Sequence, residues 1–351
     1  MFKKIAAVIA ASVLALSLAA CGDDSKKNDA ATGDATPAVK AVRINFSHTM
    51  APNSLSDLAA KKFKEIVEQK SNGSIKVNVV SNCGLSGGDL TKAIEMVGAG
   101  DIDMHASAPT NAANFDPRFY IFWMPFLFDD PASLVRIADS KEALATVNDW
   151  FKPMGIYMIG LHNAGARQIS NSEKIIRTPE DLKAMNIRVP GAQLFIDCFR
   201  DSFHANPTAM DFSEVYTALQ QKTISGQENP LSVFDSSKFQ EVQKYITLWD
   251  YVLDSTGWYI SQKTLDTKLS PEQKTALIES ATEAIAWAES YLGTSEKEIL
   301  AKLEQAGVTV TTLTPEEKQA FKDACASLYT KYEGIIGKDV FALFKQTAST
   351  N

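Results

Sequence analysis

Cysteine and histidine are scarce in this chain, four of each among 351 residues, and their placement excludes more than their number does. No Cys-x-x-Cys pair occurs. His48, His105, His162 and His204 form neither an HExxH motif nor an i, i+4 pair, so the spacings that build a zinc site are missing and no metal or cofactor is expected. The chain also lacks a Walker-type phosphate loop and a complete Gly-x-Gly-x-x-Gly. Gly98-Ala99-Gly100 is followed by Asp103 where the third glycine belongs, and reads as a helix end turning into a strand. Asp101 and Asp103 flank Ile102 as ordinary turn and strand residues. Basic runs are absent as well. Lys and Arg number 35 against 42 Asp and Glu, a net charge of −7, which is the wrong sign for wrapping a nucleic-acid backbone. A composition of 45% apolar and 22% charged residues is that of a globular protein, not of a disordered or collagen-like one.

Long apolar runs are equally few. The longest, Ile5 to Ala20, is interrupted only by Ser12 and Ser17 and falls short of the roughly 20 residues of a spanning helix. Lys3 and Lys4 precede it, as in a secretory leader, so residues 1–20 are read as a signal peptide. The run closes on Leu18-Ala19-Ala20-Cys21, which resembles a bacterial lipobox, with Cys21 the expected lipidation point. Residues 21–40 are small and polar and carry no aromatic, too little apolar surface to offset the entropy of ordering, and are read as a flexible tether. Without the leader the net charge is −9. The expected location is extracytoplasmic, in the periplasm or at the cell surface, lipid-anchored to a membrane that the chain does not cross. Cys83, Cys198 and Cys325 read as buried small hydrophobes, with a Cys198–Cys325 bridge left open.

The body alternates. Val42–Ser47, Ile75–Val79 and Ile102–Ala106 have strand character. Between them lie a helix with apolar positions Leu55, Leu58, Ala59, Phe63, Ile66 and Val67, and a second helix from about Asp89 to Val97. That order implies an α/β layer with a mainly parallel sheet and a ligand beyond the strands' carboxyl ends. A second such stretch follows, with strands at Gly155–Leu161, Arg167–Ser170, Asn186–Val189 and Tyr245–Val252 and a helix from Pro190 to about Phe203. Ser270-Pro271-Glu272 opens a periodic run to about Gly307. As one helix it would reach roughly 50 Å, a beam across two lobes with a kink expected at Gly293. The length suggests about two domains.

Two arginines stand where surface charge is not usually put. Arg167 follows Gly165-Ala166, and Arg188 lies in Ile187-Arg188-Val189-Pro190, at a strand end before a helix. A planar guanidinium there can grip a carboxylate through two parallel hydrogen bonds. The residues equally allow two structural arginines paired with acids.

The segment from Ala205-Asn206-Pro207-Thr208-Ala209-Met210-Asp211-Phe212 to Gln220, followed by Ser225-Gly226-Gln227-Glu228-Asn229-Pro230, resembles the signature of the DctP family. These are the extracytoplasmic solute-binding proteins of TRAP transporters. Met124-Pro125-Phe126-Leu127-Phe128 and the Arg188 segment are similar to family segments too. The resemblance implies a two-lobe, periplasmic-binding-protein-like α/β fold (type II-like) with a long helix spanning both lobes. It places 41–164 plus about 255–294 in the first lobe and 165–254 plus about 295–351 in the second. It implies a monomer that is not an enzyme, closes on a small organic acid and delivers it to integral-membrane TRAP permease subunits. By the same resemblance Arg188 clamps the carboxylate, Arg167 is a second ligand-contacting arginine, Asn229 is a donor and Phe212 is a pocket wall. His48 is a weaker candidate at the cleft edge, and Phe212, Trp258 and Tyr259 are also readable as core. Glu214 and Glu228 are expected outside the ligand contacts, since acids beside an anion oppose its binding. A sensory receptor for a signalling partner and a periplasmic enzyme acting on an organic acid remain alternatives.

Overall fold

The computed structural model describes residues 41–128 and 130–349; Cys21, the leader and the tether lie outside them. β1 (Val42–His48) leads into α1 (Leu55–Lys70), where the Ser54 side chain accepts the amide of Asp57 as an N-cap. β2 (Ile75–Val80), α2 (Leu90–Ala99) and β3 (Met104–Ser107) complete the first alternation. β1 lies between β2 and β3 and is parallel to both. Gly100, with φ +82°, closes α2, so the Gly98-Ala99-Gly100 stretch is a helix stop.

After a 3₁₀ segment (Pro117–Trp123), α3 (Ala132–Asp139) and α4 (Lys141–Phe151), the chain enters β4 (Ile156–Asn171). The sequence suggested two strands here. The structure joins them into one of 16 residues, because both halves pair antiparallel with the 17-residue β8 (Tyr245–Ser261). The polar stretch His162–Gly165 that masked the continuity coincides with a register shift between Asn163 and Gly165. Gly165 has φ +99°, a conformation that a side chain resists. The expected lobe boundaries at 164/165 and 254/255 meet here, on the rungs Asn163–Ser255 and Gly165–Asp254.

β5 (Asn186–Val189), α5 (Gln193–Asp197), β6 (Asn206–Ala209), α6 (Val215–Gln220), β7 (Gly226–Pro230) and α7 (Leu231–Ser236) build the next layer. The helix expected over 190–203 is shorter and finishes as a π-turn, Cys198–Ser202. β6 is an edge strand, where Pro207 costs no ladder bond. α8 (Gln262–Thr267) precedes α9 (Pro271–Gln305), a helix of 35 residues uninterrupted at Gly293 and opened by a reciprocal Ser270–Gln273 capping box. β9 (Thr309–Thr312), α10 (Pro315–Ala324), α11 (Ala326–Ile336) and α12 (Lys338–Ser349) complete the described chain.

The sheet order is β2-β1-β3-β8-β4-β7-β5-β6, with β9 beside β8. It is mixed: in the first alternation β1 pairs parallel with β2 and β3, as expected, and the two long strands bring in antiparallel pairings. β8 runs antiparallel to β3 and β4, and β4 antiparallel to β7, because these two long strands carry the chain back and forth between its halves. One apolar cluster joins α1 and β1–β3 to Leu277–Leu292 of α9. Another joins α6, α7 and Ile246 of β8 to Leu303 of the same helix. The largest cluster runs from α2–α4 to α11 and α12. Phe344 meets Phe122 edge-on at 5.3 Å and Tyr332 meets Tyr120 at 5.3 Å. The C-terminal helices thus pack on the aromatic stretch 119–128.

Candidate functional site

Arg188 sits on β5, 2% exposed. Its Nε and Nη2 both donate to the carbonyl oxygen of Met210, at 3.0 and 2.6 Å. The Phe212 ring centroid lies 5.8 Å from the guanidinium carbon. Nη1 donates to no described residue. Burial lowers the pKa of Arg188 to about 10; Glu228 pulls it up and Arg167 pushes it further down. The group remains charged at neutral pH, and no carboxylate of the described chain is bonded to it.

Arg167, on β4 and equally buried, is in the opposite situation. Nε and Nη2 donate to the Glu228 carboxylate, Nη2 also to the Glu228 carbonyl and Asn229 Oδ1, and Nη1 to Asp254. Tyr251 donates to Glu228, and Trp123 Nε1 donates to Asp254 at 2.8 Å. Burial by itself would lower the pKa of Arg167, but Glu228 and Asp254 outweigh it and hold the group firmly charged. Here the alternative, a structural arginine paired with acids, describes the geometry. Any donor that Arg167 lends a ligand is the second N–H of Nη1.

Arg188, Arg167, Asn229 and Phe212, all singled out in the sequence, wall one cavity of about 30 Å³, opposite Thr49, Met50 and Trp123 from the first part of the chain. A second cavity of about 30 Å³ shares Met50, Ala108 and Asp254 with it and continues to Ser232, Ser255 and Thr256. Each has room for about two waters, so an organic acid needs the walls to part. Asn229 faces the site with its Oδ1 on Arg167 and its Nδ2 on Gln227. Gly226 lets β7 approach: a Cβ there would lie 2.3 Å from the Ser170 carbonyl oxygen.

His48 is not among the residues lining either cavity. It is fully buried, 3.3 Å from Asp57 Oδ1, and burial lowers its pKa against the pull of Asp57. The next residues, Thr49 and Met50, which follow the end of β1, line the cavities instead. Trp258 packs between Phe46 and Phe63, and the Tyr259 hydroxyl donates to the Ser107 carbonyl, so both are core. Cys83, Cys198 and Cys325 are buried free thiols. Among the described residues no group of three or more His, Cys, Asp or Glu is placed to hold a metal, and no helix is long and apolar enough to cross a membrane.

Trp123 and Asp254 also belong to the site, and neither stood out in the sequence. Asp254 carries a related signal, a charge directly after the apolar run Tyr251-Val252-Leu253. Trp123 stands directly before Met124-Pro125, at the start of a segment with family character of its own. A larger groove of about 730 Å³, beside Arg136 and Lys345, shares no residue with these cavities.

The family model for bacterial extracellular solute-binding protein, family 7 (DctP), matches residues 46–334. The 2,3-diketo-L-gulonate-binding periplasmic protein YiaO of Escherichia coli is 32% identical over 82% of this chain and 86% of its own. The C4-dicarboxylate-binding periplasmic protein DctP of Shewanella loihica is 30% identical over 85% and 87%. The crystal structure of the sugar acid binding protein DctPAm from Advenella mimigardefordensis, in complex with galactonate, matches with a TM-score of 0.84 at 29% identity. It covers 88% of this chain and 98% of that one. A TRAP periplasmic solute binding protein from Sulfurospirillum deleyianum with bound succinate gives 0.81 at 26%, over 87% and 98%.

Proposed function

The chain belongs to the bacterial extracellular solute-binding proteins of family 7, with their two-lobe α/β fold, and on that footing we propose that it is an extracytoplasmic receptor for a small organic carboxylate, which it hands to a TRAP-type permease. The observation that carries this reading is Arg188: a buried guanidinium, bonded to a carbonyl and to no acid, with Nη1 unused at a cavity wall. A buried cation without a counter-ion is costly unless a partner arrives. A ligand carboxylate supplies that partner, and closing the lobes around it removes the water that weakens the pair.

In this reading Phe212 lies against the clamp, Asn229 and Thr49 offer polar contacts, and Arg167 holds the floor in shape. The lobes meet where β4 and β8 change register, near 164/165 and 254/255. The protein acts as a monomer, without a cofactor and without turning its ligand over. Cys21 carries a lipid that holds it at a membrane surface. The acid retained by protein purified from its source, identified by mass spectrometry, tests the receptor reading. Loss of uptake of that acid on deletion of the gene tests the link to a permease. Release of a Cys21→Ser variant from the membrane fraction tests the anchor.

A further inference from the structure

The two cavities differ in charge, and this difference bears on which acid is taken. The inference rests on the carboxylate-receptor reading. Of the described residues lining the first cavity, Arg188 and Arg167 are the only cations, and Arg167 is spent on Glu228 and Asp254. Two buried guanidinium groups and two buried carboxylates leave the empty site near neutrality. Arg188 is then the one lining cation not already bonded to a carboxylate, and it offers a place for one ligand carboxylate.

The second cavity, where the far end of the ligand would lie, has no Lys, Arg or His among its lining residues. It presents the hydroxyls of Ser54, Ser56, Ser232, Ser255 and Thr256, and the one charge on its wall is the acid Asp254. The Ser255 hydroxyl is buried and has no hydrogen-bond partner among the described residues. An unpaired buried hydroxyl is unfavourable, and a ligand hydroxyl or carbonyl is the group that would pair with it. The N-terminus of α1 also reaches this cavity, but its first turn already holds the buried Asp57, so it offers no uncompensated positive end. Lys238 and Lys302 line a neighbouring groove, together with Asp235, Glu241 and Glu298, and Lys61 is paired with Asp57.

We infer that this receptor selects monocarboxylates with a hydroxylated or keto-bearing body, of the sugar-acid or hydroxy-acid kind, over dicarboxylates. A second carboxylate would enter a space lined by Asp254 and hydroxyls, with no Lys, Arg or His among its lining residues and only the paired Arg167 behind Asp254. A hydroxyl in the same place meets Ser255 and its neighbours.

Titration calorimetry on the mature chain decides this, with pairs that share a carbon skeleton: D-galactonate with galactarate, D-erythronate with meso-tartrate, and 4-hydroxybutyrate with succinate. The expected result is that the tightest binder is a monocarboxylate and that its dicarboxylate partner binds at least about tenfold more weakly. If the tightest binder is a dicarboxylate, the selectivity is overturned while the carboxylate receptor stands. If nothing in the panel binds, the acid retained by the purified protein decides: a monocarboxylate supports the inference and a dicarboxylate overturns it. If no acid is retained either, the receptor reading falls, and the inference with it.

The Asp254→Asn variant addresses the cause. Removing that charge and loosening its hold on Arg167 Nη1 should narrow the gap within each pair several-fold. A folded variant with unchanged ratios would remove Asp254 as the origin of the preference. Should the variant fail to fold, the ratios measured on the wild-type chain still decide whether the preference exists.

Discussion

Arg188 places two of its hydrogen bonds on a single acceptor, the carbonyl oxygen of Met210, and so fixes the plane of its guanidinium before any ligand arrives. Arg188 lies on β5 and Met210 directly follows β6, which runs beside it with Thr208 and Ala209 opposite Arg188 and Val189. That pre-orientation is the basis for the first expectation. Arg188→Ala should weaken binding of the retained acid by about 2–5 kcal/mol, roughly thirty- to several-thousand-fold. Arg188→Lys should not restore it, since an ammonium cannot bond Met210 and present a planar fork at once. Calorimetry of the two variants is the measurement, and wild-type affinity in Arg188→Ala would remove the residue from the site.

Arg167 should behave as a stability residue first. Arg167→Ala leaves Glu228 and Asp254 buried without their cation, a loss of about 3–5 kcal/mol. The melting temperature should fall by about 5–8 °C. Combining Arg167→Met with Glu228→Gln and Asp254→Asn should recover at least half of that loss, because no buried charge is then left alone. A single variant that melts like the wild type would show that the pairs contribute little.

Acid should destabilise the fold through histidine before it does so through carboxylates. Burial lowers His105 to about 3 and His162 to about 4, and lowers His48 as well. An unfolded chain protonates these rings at the usual value near 6.5. The native state therefore binds fewer protons, and its stability is fully present above about pH 7 and declines as pH falls below 6.5. At pH 5 the loss is about 2 kcal/mol for each of His105 and His162. Melting temperature measured from pH 8 to pH 5 should drop accordingly, and His105→Leu should flatten the curve. A level profile over that range would contradict the burial of neutral rings.

Two glycines should respond with opposite signs. At Gly165, φ is +99° and a Cβ would lie 3.2 Å from Glu296 Oε1 and 3.3 Å from Pro230 Cβ. Gly165→Ala should cost about 1–3 kcal/mol. Gly334 lies in α11, exposed and with nothing within 4 Å of a built Cβ, so Gly334→Ala should gain about 0.5–1 kcal/mol. Denaturant titration of both variants checks the pair.

The first alternation was legible because its punctuation is local: Ser54 caps α1, Asp89 caps α2, and Gly100 ends it. The 35-residue α9 was legible for the same reason, from its periodic pattern and the Ser270-Pro271 start. β4 was not, because its continuity comes from pairing with β8, some ninety positions away, and the His162–Gly165 stretch breaks the alternating pattern that a strand should show. β6 and β7 were hidden by Asn206-Pro207 and by the polar Gly226–Asn229, whose burial depends on neighbours in the sheet. In the site, the sequence located Arg188 and Arg167 alike, but nothing local distinguishes a guanidinium facing a carbonyl from one facing two acids. That difference arises when Glu228 and Asp254 arrive from separate strands.

Because α9 is anchored at one end among Leu277, Ala281 and Ala288 and at the other by Leu303, neither apolar cluster can come apart while the other keeps its helix intact. Heating should then produce a single calorimetric peak, and a protease able to cut once near Gly293 would uncouple the two ends and split that peak in two.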